Sequence, residues 1–272
     1  MTRARILADY VAGGTTAAEF DYLDGVTSNV QTQLDAKNPT RNENLKVVND
    51  GWATYCDVDA DYLTLWNSSN EALIVSSVNL TITITTAGLL GLDTGSEAAN
   101  TWYHIWVISN GSATSGIFST SSTSPTMPSG YTYKKYVGAA RNDSSSNFIA
   151  MKQLGNHVRI PYDNVGSGIV NAWVTLDCSA FVPPTAKRVG IRCAINGGST
   201  TGNVGGECAL RVQPGESYGQ THLVNAQFYI SGLDWAVGGS GMQDLHTDSS
   251  VAVYSGATGY TKSYAYEYDN IV

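Results

Sequence analysis

The chain has 272 residues, enough to bury about three quarters of its unfolded surface in one or two domains, so its core needs no metal or disulfide support. Charged residues reach only 14% and tyrosine leads the aromatics with 16 copies, which leaves a surface built from hydroxyl, amide and glycine groups. A formal charge of −8, from 15 Lys and Arg against 23 Asp and Glu, argues against nucleic acid as a partner, because phosphate binding needs clustered cations.

The amino end, MTRARILADYVAGG, lacks the uninterrupted apolar stretch of a signal peptide, and no apolar run reaches the about 18 residues of a membrane span. Neither secretion by the usual route nor membrane insertion is expected. Positions 17 to 37, AAEFDYLDGVTSNVQTQLDAK, then carry two helix signals in tandem. Thr16 with Glu19 forms a capping box, in which the hydroxyl accepts from free backbone N–H groups and the carboxylate reaches back to the cap. Gly25 suits a helix end, Thr27 or Ser28 restarts the pattern, and Asn38-Pro39 stops it. Two helices of about ten residues are too short to hold alone in water, so the seam of Phe20, Leu23, Val26, Val30 and Leu34 needs cover. Copies of the same chain can provide it, or the arm can pack on its own β domain.

After Pro39 the pattern becomes strand-like, with a linker over about 38–46. Residues 1–44 are read as a helical arm and 45–272 as a β domain, with a division into 45–155 and 156–272 left open. Short runs of Val, Ile, Thr, Tyr and Trp alternate with Gly, Asn, Ser and Pro clusters, which predicts a mainly β, antiparallel, jelly-roll-like sandwich. Tyr62–Trp66 is one predicted strand. VNLTITITT, positions 78 to 86, alternates cleanly, with Val78, Leu80, Ile82 and Ile84 on one face and Asn79, Thr81, Thr83 and Thr85 on the other. Trp102 to Ile108 is apolar on both faces and reads as a central, doubly covered strand, with His104 as a hydrogen-bonded core residue instead of a catalytic one. Further strands are predicted at 168–177, 189–196, 207–212, 222–231 and 260–268. The glycine-rich stretch 196–206 is expected to be an inter-strand loop, because it does not lead from a strand into a helix with phosphate-binding spacing.

Cys56, Cys178, Cys193 and Cys208 show no C-x-x-C spacing and the four histidines are scattered, so buried free thiols are expected, with no metal site and no cofactor. Asp57, Asp59 and Asp61 resemble the start of a calcium loop, yet Tyr62 stands where glycine is required and Ser68 where an acid must close it. The acidic pairs fall among Gly, Ser and Thr, as in solvated loops, and no G-x-S-x-G elbow exists, so no catalytic residues are assigned and an enzyme is not expected. At the carboxyl end Tyr260 precedes Tyr264, Tyr266 and Tyr268, the last three at period two. Tyrosine rings offer flat apolar surface and a hydroxyl, suited either to a glycan or to a neighbouring chain.

The run at 17–37 closely resembles a segment of tailed-bacteriophage fibre and other virion structural proteins, and TWYHIWVISNGS, PTMPSGYTYKKYVGAARNDSSSNFIAM and QLGNHVRIPY are similar to phage structural modules. That resemblance implies a homotrimer with Phe20, Leu23, Val26, Val30 and Leu34 near its axis. It further implies residence in the virion, contacts with other virion proteins through the arm, and either a short fibre that attaches to the host or a capsid decoration or head fibre. A glycan-cleaving tailspike is the remaining expectation of that group. Only about 14 residues precede the helical run, so a compact fibre, or one that docks through a short peptide, is implied.

Overall fold

The computed structural model describes residues 41–272 except 52, 169–172, 198–201, 212–220, 231–234, 245–249, 258–259 and 270–272, and between 162 and 174 and between 193 and 267 it describes the backbone. The predicted arm, with Phe20, Leu23, Val26, Val30 and Leu34, lies outside the described residues. The body described is the unit Asn42–Val272. It is mainly β, and no helix occurs among the described residues.

Strands form where β-branched and aromatic residues recur at period two, because such side chains pack well on a pleated surface. In chain order they are β1 (Asn42–Glu43), β2 (Lys46–Asn49), β3 (Tyr55–Trp66), β4 (Ala72–Thr83), β5 (Gly91–Leu92), β6 (Trp102–Ser109), β7 (Thr114–Ser119), β8 (Tyr133–Arg141) and β9 (Met151–Leu154). The second half adds β10 (His157–Gly168), β11 (Trp173–Asp177), β12 (Arg188–Gly197), β13 (Gly202–Arg211), β14 (Thr221–Ile230), β15 (Trp235–Asp244), β16 (Ser250–Ala257) and β17 (Tyr260–Asp269). The expected linker over 38–46 therefore already holds β1 and the start of β2. Asn42 and Glu43 have little strand propensity of their own and are held by pairing with Leu63 and Tyr62.

One sheet of 13 strands runs β15-β12-β17-β10-β9-β2-β3-β8-β6-β7-β5, with β1 and β4 also on β3, and a second sheet runs β11-β16-β13-β14. The larger sheet takes strands from both halves of the chain. A single core joins its parts: Val47, Val58, Leu63 and Ile82 pack in the same cluster as Tyr103, Ile105, Phe118 and Val137, and as Val158, Val189 and Tyr268. Tyr103, Phe118 and Phe148 form its aromatic centre, with ring centroids 5.0 to 6.4 Å apart.

β4 alternates as its sequence predicts, with Val78, Ile82 and Ile84 buried and Asn79 and Thr81 exposed. The phase does not persist along the whole pair. Ala60 and Leu63 on β3 are both buried, as are Val75 and Val78 on β4, so each strand turns over within one residue at Asp61 and Ser77. Ser77 takes a left-handed φ of 52°, and the ladder resumes in unchanged register, Ala60 opposite Val78 and Tyr62 opposite Ser76. Asn44 donates to the Asp61 carboxylate at 2.6 Å beside this point.

β6 lies between β7 and β8 and is buried on both faces, from Tyr103 to Ser109. Its second face makes a small cluster of Trp106, Ile108 and Ile117. His104 is on that face, 4% exposed and tilted against Tyr136, but its Nδ1 has no hydrogen-bond partner, contrary to the hydrogen-bonded core histidine expected. Burial in apolar surroundings lowers its pKa to about 4, so the ring is neutral and stays compatible with the core.

Candidate functional site

The most distinctive surface of the described residues is a groove built where two strands part. β10 pairs with β17 from His157 to Arg159, opposite Asp269 to Glu267, and resumes only at Asp163 opposite Ala265. Ile160, Pro161 and Tyr162 are left out of the ladder. Proline cannot donate a ladder hydrogen bond, so an excursion of this kind is where a strand can accept one. On the far edge of β17, Gly190 pairs with Glu267 and Ile191 with Ala265, which makes Tyr266 an extra residue there too.

The side chains around this opening come from distant segments. On one side of Ile160 and Pro161 a pocket of about 70 Å³ is walled by Trp102 from the start of β6, Arg141 from the end of β8, and Phe181. Tyr268 is at the same wall. Trp102 is partly exposed, its Nε1 donates to the Ser179 carbonyl at 2.9 Å, and its ring meets Tyr268 edge-on at 6.5 Å. Phe181 is held by a tight turn in which its own N–H and that of Val182 both donate to the Cys178 carbonyl, at 2.8 and 3.0 Å. On the other side an open depression of about 280 Å³ is bordered by Asn49, Asp50, Lys152 and Arg159. Met151, Ile160 and Pro161 line both hollows, which adjoin across them, and the two together are called the groove below.

Lys152 and Arg159 are direct register partners across β9 and β10, both exposed, and among the described residues no carboxylate reaches ion-pair distance of either. The next cations along the sheet are neutralised: Arg188 lies 3.6 Å from Asp269, which also receives His157 at 3.2 Å, and Lys46 lies 3.8 Å from Asp59. Among the described residues Asp50 is the one carboxylate lining these hollows, against three cations in Arg141, Lys152 and Arg159.

Of the tyrosines singled out in the sequence, Tyr268 is fully buried with no hydrogen-bond partner for its hydroxyl, and burial raises its pKa well above the ordinary value. It pairs with Val189, a core residue. Tyr264 pairs with Arg192, and the extra residue at Tyr266 breaks the period-two run that the sequence suggested for Tyr264, Tyr266 and Tyr268. Tyr260 begins β17 opposite Asn196. The side chains of Tyr260, Tyr264 and Tyr266 lie outside the described residues.

Asp57 and Asp59, expected in a solvated loop, are on β3 instead. Asp57 accepts from the Thr81 hydroxyl at 2.6 Å across to β4, while Asp61 receives Asn44. Among the described residues no three acidic, histidine or cysteine side chains converge as a metal site would require. Cys56 and Cys178 are free and buried; desolvation raises both thiols, that of Cys178 to about 12. Neither is a nucleophile at neutral pH.

Sequence reasoning passed over Trp102, Arg141, Lys152, Arg159 and Phe181 as site residues. The one local signal was Pro161 inside a strand-like run, since the rest meet only through long-range register.

No protein-family model and no curated protein matches the chain. Among solved structures it is similar to the mosquito-larvicidal Cry4Aa toxin of Bacillus thuringiensis, at 9% identity and a TM-score of 0.20, over 90% of this chain. The chain spans 55% of the length of that toxin. At that score the likeness carries no argument about fold or activity.

Proposed function

We propose that this protein is a bacteriophage virion structural protein, a short homotrimeric fibre whose jelly-roll-like β-sandwich head attaches to the host cell surface. The observation that carries this reading is the run AAEFDYLDGVTSNVQTQLDAK, with its resemblance to phage fibre segments and an apolar seam that three copies of the chain can cover. The body adds support, since a hydroxyl-rich, weakly charged β surface with an aromatic groove suits repeated weak contacts with sugars. Three such sites per trimer and several trimers per particle convert weak contacts into stable adsorption. The arm, residues 1–44, supplies the seat on other virion proteins, and the protein acts by binding, without a catalytic step.

Fluorescently labelled full-length protein mixed with host cells and, separately, with emptied capsids tests this reading. Retention on cells supports a receptor-binding fibre. Retention on capsids alone replaces it with a decoration or head-fibre role, and release of reducing ends from host polysaccharide replaces it with a glycan-cleaving spike.

A further inference from the structure

We infer that the groove between Trp102 and Arg159 binds an anionic saccharide, with the apolar face of a sugar ring against Trp102 and Phe181 and its negative substituent between Lys152 and Arg159. The inference rests on the attachment reading and names the ligand class of that surface.

Three observations meet here. Like charges placed directly opposite on an antiparallel pair disfavour the ladder, yet Lys152 and Arg159 face each other across β9 and β10, while Glu267 of β17 is the register partner of Arg159 on its other side. An anion seated between them relieves that repulsion, and a guanidinium beside an ammonium suits a carboxylate or phosphate oxygen pair. Next, the two cations are joined through Ile160 and Pro161 to a wall with a partly exposed tryptophan and a phenylalanine, a flat surface suited to the C–H face of a pyranose. Finally, Trp102 is fixed by its hydrogen bond to Ser179 and its edge contact with Tyr268, so the ring is already oriented. A bare polyanion would use the cations and ignore the aromatic wall. The acidic balance of the whole chain favours a sugar unit over a nucleic acid.

The test uses full-length protein with immobilised polygalacturonate as the acidic probe, dextran as the neutral one and duplex DNA as a sugar-face-free competitor. Polygalacturonate is expected to retain the protein, with dextran about tenfold or more weaker, and retention is expected to fall steeply as salt rises past the point where surface charges are screened. Lys152→Glu, which sets an acid opposite Arg159, is expected to lower retention about tenfold while leaving the melting temperature unchanged or raised, so that lost binding is separated from lost folding. Trp102→Leu is expected to lower retention without changing its salt dependence. Equal retention on dextran, no effect of Lys152→Glu, or competition by DNA that is indifferent to Trp102→Leu each overturns the inference. Loss of polygalacturonate binding with normal adsorption to cells removes this ligand and leaves the attachment reading standing; retained polymer binding without adsorption does the reverse.

Discussion

The pair β3–β4 and the pair β10–β17 face the same problem and solve it differently. In β3–β4 both strands turn over at Asp61 and Ser77, and the ladder continues in register on either side, because a small polar residue can take the left-handed backbone and neither strand lacks an N–H. In β10–β17 the chain meets Pro161, the ladder opens over Ile160–Tyr162, and register returns only at Asp163. A kink absorbed within a ladder gives a closed wall. A ladder that opens gives a recess, and side chains from five other segments fill its rim.

If that contrast is right, the wall carries stability and the recess does not. Leu63, fully buried beside the kink, is expected to lose about 2–5 kcal/mol on truncation to alanine, read as a large drop in denaturation midpoint. A loss below about 1 kcal/mol would show that the wall is not packed as described.

His104, on the doubly covered β6, sharpens the same point through pH. Its pKa in the folded protein, about 4, lies below the ordinary 6.5, so the unfolded chain binds the proton more readily. Stability is therefore full above about pH 6.5, falls as pH drops towards 4, and levels off below that, by up to about 3 kcal/mol in all. Comparing urea midpoints of the wild type and His104→Gln across this window isolates the effect from the carboxylates, and identical slopes would count against a desolvated ring.

Smaller effects are expected at the turning points themselves. Pro161→Ala removes no ladder hydrogen bond and raises only the entropy of the unfolded chain, so it is expected to cost under about 1 kcal/mol. Ser77→Gly relieves the left-handed backbone and is expected to gain a few tenths of a kcal/mol, whereas Ser77→Val destabilises. A stabilising Ser77→Val would show that the kink does not need its positive φ.

Local periodicity made part of this fold readable. The alternation of β4 and the apolar run of β6 lie within single strands, so the residues that decide them are neighbours in sequence. β15 and β16 were not legible, since WAVGGSGMQD is rich in glycine and β15 is defined by its pairing with β12. The carboxyl-terminal tyrosines look periodic until the extra residue at Tyr266 is placed, and that bulge exists only relative to β12 and β10. The groove was hidden for the same reason. Trp102, Arg141, Lys152, Arg159 and Phe181 carry no shared motif, and sheet register, with the turn that holds Phe181, brings them together.

The proposed fibre is a trimer whose amino-terminal seam is covered by sister chains. Mass photometry of the full-length protein measures this directly: a single species at three times the chain mass of 28.9 kDa is expected, collapsing to one chain in Leu23→Asp with Val30→Asp. A wild-type species of 28.9 kDa at the same concentration would contradict it.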